Sequence, residues 1–251
     1  MKIGFYSPYL DTFGGGERYM LTLASHLSHN NKVEIFWPDS NIKAPLSRFL
    51  KIDLSKINFV PNPLLKKGYA KFLSTYKYNL IFVLSDGSIP TTFAKKNILH
   101  FQVPFNFEKL SLANKAKLSR YKHIVANSHF TKSYIDRTFG VNSKVIYPPV
   151  DIKNIISGEK EKIILSVGRF GAGQLHPKKQ DVLIEVFKEI SKKAKDWKLI
   201  LIGQTKKEYA KYTNNACLGK GKFSAQSQYG CALSSHTYLH ISMVWIYAQC
   251  E

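Results

Sequence analysis

The first 150 residues alternate between short apolar runs and longer stretches in which apolar residues recur every three or four positions. The apolar runs predict buried strands at 2–6, 32–37, 80–84, 97–101, 123–126 and 144–146. The periodic stretches predict helices at 17–27 and at 128–139, the second ended by Gly140. Alternation of strand and helix is typical of an α/β fold with a parallel sheet covered by helices.

A second strand–helix pattern begins near residue 160, after a polar segment that contains Pro148 and Pro149. Neither proline can extend a helix or lie inside a central sheet ladder. Beyond them the pattern predicts a strand at 163–168, an amphipathic helix at 179–195 and a strand at 198–202, closed by Gly203. We therefore expect two α/β domains, one at 1–150 and a short one at 151–212.

The tail at 213–251 has a different composition from the rest of the chain. It contains all three cysteines, Cys217, Cys231 and Cys250, and has no clear helical or strand period before the apolar run 243–248. The cysteine spacing matches no zinc finger. The tail could be a foreign, frameshifted terminus or a natural extension.

Composition and charge limit the class of protein. Hydrophobic residues make up 44% and charged residues 22%, which excludes wholesale disorder. No run of about 18 apolar residues predicts a spanning helix, the first residues lack the apolar stretch by which we would expect a signal peptide, and an odd cysteine number favours a reducing compartment. We expect a cytoplasmic protein. With 37 Lys and Arg against 17 Asp and Glu, the net charge is +20, which favours anionic partners.

Two segments could bind phosphate. The loop 7–16 ends with Gly15 and Gly16 at the N-terminus of a predicted helix, where free backbone N–H groups can bind an anion. Arg169 follows a predicted strand and Lys178 precedes the next helix, and both cations suit diphosphate oxygens. The alternatives are a tight turn in the first case and two surface cations in the second.

Two further features have a functional and a structural interpretation. His100 ends a predicted strand, where it could bind a substrate hydroxyl or serve only the fold. Residues 66–123 contain eleven Lys and Arg against two acids, and 109–122 has apolar residues but no acid. A basic helix of this kind could lie on an anionic membrane surface or be a solvated face. No helix-turn-helix, RRM or zinc signature supports a nucleic-acid partner.

Five segments in order resemble the GT-B retaining glycosyltransferases of the "glycosyl transferases group 1" family, over about residues 1–205. They are GGGERY (14–19), VANSHFTK (125–132), VIYPPVD (145–151), ILSVGRF (164–170) and KKQDVLIEVF (178–187). The resemblance implies two Rossmann-like domains facing a cleft, with the acceptor on the first and a nucleotide-sugar donor on the second. The chain carries no match to the family's Glu-x7-Glu motif, so we expect an incomplete second domain.

The resemblance assigns a role to each candidate residue. Gly15 and Gly16 would approach the donor diphosphate, Arg169 and Lys178 would bind it, and His100 would lie near the transferred sugar. The resemblance also implies that no metal is needed, which agrees with the absence of a DxD motif, and protein cations would then replace Mg²⁺ at the diphosphate. The function implied is transfer of a hexosyl unit, with retention, to a glycan, glycolipid or lipid-linked acceptor. The alternative is an inactive, truncated domain that serves as a binding or membrane-surface module.

Overall fold

A computed structural model describes residues 1–105, 111–150, 152, 156–168 and 178–202, together with the backbone of 203–205, 223–227 and 242–248. The chain divides into two compact units, Met1–Ile155 and Ile156–Glu251.

The first unit is built on a seven-stranded sheet in the order β3-β2-β1-β4-β5-β6-β7. Every described pairing in it is parallel. The strands are β1 (Lys2–Tyr6), β2 (Lys32–Phe36), β3 (Ile57–Val60), β4 (Leu80–Ser85), β5 (Lys96–Phe101), β6 (His123–Ala126) and β7 (Lys144–Val145). The prediction of an α/β fold with a parallel sheet is confirmed.

Helices connect these strands. They are α1 (Gly15–Leu27), α2 (Lys43–Leu50), α3 (Gly68–Tyr76), α4 (Leu112–Leu118) and α5 (His129–Phe139). Ser128 caps α5, since its hydroxyl accepts a hydrogen bond from the Thr131 amide at 3.1 Å. Gly140 ends α5 at a φ of 63°, in the left-handed region that glycine adopts freely. Helices α2 and α3 and strand β3 were not predicted from the sequence.

The core of the first unit lies on both faces of its sheet. Ile35 and Phe36 of β2 and Phe82 and Val83 of β4 are each at most 5% exposed. Neighbouring residues on a strand point to opposite faces, so burial of all of them requires helices on both sides. The continuous apolar runs of the sequence are therefore explained by a doubly covered sheet.

A buried carboxylate stabilises the amino-terminal edge of this sheet. Glu34 of β2 is 5% exposed. It accepts a hydrogen bond from the Tyr78 hydroxyl at 2.5 Å and pairs with the Lys2 ammonium at 3.0 Å. Burial favours the protonated acid, but the bonds from Tyr78 and Lys2 outweigh it and hold the pKa of Glu34 below its ordinary value. The ionised form is thus satisfied inside the protein.

The second unit contains a four-stranded sheet in the order β10-β11-β9-β8. Its elements are β8 (Ile163–Val167), α6 (Gln180–Ser191), β9 (Lys198–Thr205), β10 (Phe223–Ser227) and β11 (Ser242–Ala248). Strand β8 is parallel to β9, whereas β11 runs antiparallel to both β9 and β10.

Two predictions for this region were wrong in their bounds. Helix α6 ends at Ser191 rather than at residue 195, because the polar residues that follow offer no apolar face to pack. Gly203 does not end the preceding strand, since it pairs with Val244 inside the β9–β11 ladder. The tail forms two strands, although the sequence indicated only one short apolar run.

Candidate functional site

The carboxyl ends of the parallel strands of the first unit meet at one edge of the sheet. Strands β1 and β4 are neighbours there, although α1, β2 and β3 separate them in the chain. The chain order thus reverses direction between them, and ligands of open α/β sheets bind in the crevice at such a switch point. Helix α1 begins at the same edge, after the loop 7–14 that follows β1.

A buried carboxylate accepts hydrogen bonds that fix the glycine-rich loop against the start of α1. Glu17 is 5% exposed. It accepts hydrogen bonds from the Gly14 amide at 3.1 Å, the Ser7 hydroxyl at 3.0 Å and the Thr12 hydroxyl at 3.2 Å. Gly14 is the N-cap, and a Cβ added to it would lie 2.8 Å from Oε2 of Glu17. The helix therefore begins from a loop fixed by its own third residue.

Gly15 and Gly16 differ in what surrounds them. A Cβ added to Gly15 would meet nothing within 4 Å, so the first turn of α1 is open there. A Cβ added to Gly16 would lie 2.6 Å from Oε1 of Gln102 and 3.3 Å from Cδ2 of Leu84. Gly16 thus makes room for side chains of the fold itself. That either glycine lies against a diphosphate stays a prediction.

His100, the candidate for contact with the sugar, is fully buried at the end of β5. Its ring stacks on Tyr19 of α1 at a centroid distance of 4.4 Å and on Phe82 at 5.5 Å. Burial lowers the pKa of His100 to about 4, because the low-dielectric surroundings disfavour the charged ring. The imidazole is therefore neutral at pH 7.

The two ring nitrogens of His100 have different surroundings. Nε2 lies 3.4 Å from the side-chain amide nitrogen of Gln102. With that amide donating to Nε2, the ring proton is on Nδ1, which has no hydrogen-bond partner among the described residues. An unpaired buried donor costs free energy, so Nδ1 would gain from an acceptor oxygen of a ligand.

Gln102 and Tyr19 join the candidate residues into one cluster. Gln102 lies between the first turn of α1, at Gly16, and the ring of His100. Tyr19 is 2% exposed, and its hydroxyl donates to the Ile146 carbonyl at 3.4 Å. Burial raises the pKa of Tyr19, so its hydroxyl stays protonated. We call Gly16, Tyr19, His100 and Gln102 the edge cluster.

Sequence analysis missed Glu17, Tyr19 and Gln102. A signal existed for two of them. Glu17 stands three residues after Gly14, which is the spacing of a capping box. Gln102 stands two residues after His100 at a strand end, so both side chains leave the backbone on the same side. Nothing in the sequence marked Tyr19 as the stacking partner of His100.

In the second unit, Lys178 lies at the carboxyl end of β8. A Cβ added to Gly168 would be 3.1 Å from Cγ of Lys178, so the glycine lets the lysine stem pack over the strand end. Lys178 itself is exposed and stands two residues before α6. Arg169 lies outside the described residues. Gly168, against which Lys178 packs, is the residue directly before Arg169 in the sequence.

Two other expectations concern metal and the basic segment. Within the described part of the chain, no group of three His, Cys, Asp or Glu side chains gathers as a metal site would require. The basic helix expected at 109–122 is α4, which is shorter, and residues 109 and 110 lie outside the described residues. Ser111 caps it by accepting from the Asn114 amide at 3.2 Å.

Comparison with known proteins gives structural matches only. No protein-family model and no curated protein matches the chain. HepE of Anabaena, crystallised with UDP and glucose, is 19% identical with a TM-score of 0.58, over 86% of this chain and 64% of HepE. HepE crystallised with UDP is 19% identical with a TM-score of 0.50, over 75% of this chain and 58% of HepE.

A second protein shares the fold. A glycosyltransferase from Rickettsia africae is 14% identical with a TM-score of 0.55, over 86% of this chain and 63% of that protein. The chain therefore spans less than two thirds of the length of the solved structures it matches. The likeness shows a shared Rossmann-like fold.

Proposed function

We propose that the protein is a glycosyltransferase that moves a hexosyl unit from a nucleotide sugar to an acceptor hydroxyl, with retention at the anomeric carbon. The proposal is supported by the shared fold, since HepE was crystallised with UDP and glucose and the Rickettsia protein is a glycosyltransferase. The observation that carries it is the edge cluster with its neutral, buried His100, beside the first turn of α1 that is open at Gly15.

The reaction exchanges one bond of the anomeric carbon for another. The bond to the diphosphate oxygen breaks, a bond to the acceptor oxygen forms on the same face of the sugar, and the acceptor proton passes to the departing diphosphate. Negative charge grows on the departing diphosphate. We assign its neutralisation to Arg169 and Lys178, because cations placed where charge develops lower the barrier. No metal is part of this proposal, since the two cations take the role of Mg²⁺.

The surroundings of His100 suit a hydroxyl better than a phosphate. A neutral imidazole whose Nδ1–H has no partner within the described part of the chain offers a hydrogen bond without a charge. The sugar hydroxyl near the bond that breaks is the group we assign to it. Gly15, with open space around its Cα, is the position at which backbone N–H groups of α1 would approach the donor.

Two variants test the assignment of the diphosphate site. We expect Arg169→Ala and Lys178→Ala each to lower transfer by about tenfold or more, because each removes charge stabilisation from the transition state. Lys188→Ala is the matched control, since Lys188 is an α6 lysine that pairs with Glu185 at 2.7 Å. Unchanged turnover in both Arg169→Ala and Lys178→Ala would contradict the assignment.

The direct test is a mass-spectrometric screen of the protein against a panel of nucleotide sugars with glycan, glycolipid and lipid-linked acceptors. We expect one donor to add one hexosyl mass to one acceptor class. The alternative, an inactive domain that only binds, predicts that no donor is consumed. Absence of both consumption and binding of every nucleotide sugar would end the proposal.

A further inference from the structure

Helix α3 presents large apolar side chains to solvent. Tyr69, Leu73 and Tyr76 are 73%, 53% and 56% exposed, and their spacing of four and three places them on one helix face. We call these residues the α3 stripe. The core side of the helix is occupied instead by Thr75, which is fully buried. A surface helix normally turns its apolar stripe to the core, so α3 is inverted relative to that pattern.

The stripe is held by a row of aromatic rings. Phe72 stacks on Tyr69 at 6.0 Å and on Tyr76 at 5.2 Å, and its other edge packs against Phe93 at 5.3 Å. The rings are thus positioned in advance of any partner. Tyrosine combines an apolar ring with a polar hydroxyl, which suits the boundary between a bilayer and water.

Lysines surround the stripe and the neighbouring helix α4. They are Lys66 and Lys67 before α3, Lys71 within it, Lys77 at its end, and Lys115 and Lys117 on α4. None of the ion pairs among the described residues includes any of them. On α6, by contrast, Lys188 and Lys192 each pair with a glutamate at 2.7 Å. The α3–α4 surface therefore keeps a net positive field.

Helices α3 and α4 are linked through one short segment. The Phe93 amide donates to the Thr75 hydroxyl of α3 at 3.1 Å. Arg120, two residues after α4, stacks its guanidinium 4.8 Å from the Phe93 ring and donates to the Thr92 carbonyl at 2.7 Å. Burial, together with repulsion from Lys117, lowers the pKa of Lys71. The positive charges of the two helices thus act on one another.

We propose that α3, with the lysines of α3 and α4, docks on the surface of an anionic phospholipid bilayer. The α3 stripe would enter the headgroup region while the lysines contact lipid phosphates. Apolar burial and electrostatic attraction together would give a membrane affinity that neither provides alone. A second copy of the chain fits less well, because it would bring two uncompensated basic surfaces together. Among the described residues, no helix is long and apolar enough to cross a bilayer.

The docking surface begins at the sheet edge that carries the edge cluster. In a parallel sheet each connecting helix runs back against the strands, so the first turn of α3 lies at their carboxyl ends. Lys66, Lys67 and Tyr69 precede or open that turn. A bilayer on this surface would present a lipid-linked acceptor to the edge cluster, a consequence that rests on the proposed function. Docking itself does not depend on it.

Co-sedimentation with vesicles tests the docking without any nucleotide sugar. Phosphatidylcholine vesicles with roughly one third phosphatidylglycerol should retain the protein, whereas pure phosphatidylcholine should not. We expect Leu73→Ser with Tyr76→Ser to weaken retention about tenfold or more. We expect Lys66→Gln with Lys67→Gln to weaken it about 25-fold, at about fivefold for each lysine.

Matched controls lie on α6, where Val182 and Val186 are about half exposed and Lys188 is paired. Val182→Ser with Val186→Ser, and Lys188→Gln, should leave retention unchanged. Failure of the wild-type protein to sediment with anionic vesicles would overturn the proposal. Retention of the α3 variants equal to that of the wild type would also overturn it. So would binding to heparin without binding to vesicles, if the Leu73→Ser and Tyr76→Ser changes leave the heparin binding intact.

A gentler variant reports insertion directly. Leu73→Trp keeps a large apolar side chain in the α3 stripe, so the fold should be unaffected by the change. Its fluorescence should shift to the blue when anionic vesicles are added, because the indole leaves water. An emission spectrum that stays the same with vesicles at saturating concentration would contradict docking through α3. If the wild-type protein binds anionic vesicles but transfers no sugar, that result would count against the proposed function and not against the docking.

Discussion

The two units begin with the same strand–helix–strand pattern, yet their sheets are covered differently. In the first unit, Ile35 and Phe36 are neighbours on β2 whose side chains point to opposite faces, and both are at most 1% exposed. In the second, Leu165 and Val167 of β8 are 57% and 72% exposed. The first sheet excludes water from both faces, whereas the described part of the second leaves an apolar strand face open.

This difference in burial determines the surroundings of the polar side chains in each unit. Behind a water-excluding core, the first unit keeps polar groups in fixed protonation states, with Glu34 ionised and His100 neutral. In the second unit, Lys178 is exposed to solvent, with its stem packed against Gly168. The first unit therefore holds buried groups in set protonation states, whereas the described part of the second presents a lysine to solvent.

The largest expected effect is on the free energy of unfolding, and it tests the difference in burial between the two sheets. Phe5→Ala should lower the free energy of unfolding of the first unit by about 3–5 kcal/mol, because it leaves a cavity in a closed core. Leu165→Ala should cost the second unit less than about 1 kcal/mol, since that side chain is already half in water. Hydrogen exchange resolved by peptide would measure each unit separately. Equal losses at the two sites would break the contrast.

The next effect concerns pH. The pKa of His100 is lowered to about 4 in the folded protein and is about 6.5 in an unfolded chain. Between these two values the unfolded state binds more protons than the folded state. The free energy of unfolding is therefore unaffected by His100 above about pH 6.5 and falls as the pH drops toward 4. From pH 7 to pH 5 the loss should be about 2 kcal/mol.

The control for this effect is His100→Phe, which keeps an aromatic ring against Tyr19 and removes the titrating group. Urea unfolding at pH 7 and pH 5 should show a smaller pH dependence in the variant than in the wild type. An identical pH dependence in both proteins would show that His100 is not held neutral by its surroundings.

The smallest effect distinguishes the two glycines. Gly16→Ala should destabilise the first unit by about 1–3 kcal/mol, because the new methyl group would displace Gln102 and crowd Leu84. Gly15→Ala has open space around it and should leave thermal stability unchanged or raise it by less than about 1 kcal/mol. If the open first turn of α1 receives the donor, Gly15→Ala should still reduce transfer. Equal melting temperatures of the two variants would contradict the packing around Gly16.

The order of the α/β elements could be predicted because apolar runs mark strands that are buried on both faces. The elements that escaped have specific causes. Strand β3 contains the exposed, polar Asn58, so it is not a continuous apolar run, and α2 contains Pro45 in its first turn. Helix α3 turns its apolar residues outward, so its pattern gave no core face. The bounds of β9 depended on a pairing with β11, which no local signal reveals.

The candidate site could be predicted in part. Motif resemblance pointed to His100 and Gly16, and the structure brings both to the edge cluster. Their contact through Gln102 depends on two adjacent elements of a folded sheet, which spacing along the chain does not encode. The burial of His100 depends likewise on Tyr19 from α1, whose ring lies 4.4 Å away. Local sequence therefore gave the positions, and only tertiary packing gives the protonation state.

The central claim, that this protein uses a nucleotide-sugar donor, is tested most directly by calorimetric titration with nucleoside diphosphates. We expect one nucleoside diphosphate to bind the wild-type protein and the Lys188→Ala control with equal affinity, and to bind Lys178→Ala about tenfold more weakly. Equal affinity of all three proteins, or no binding of any nucleoside diphosphate, would contradict the claim.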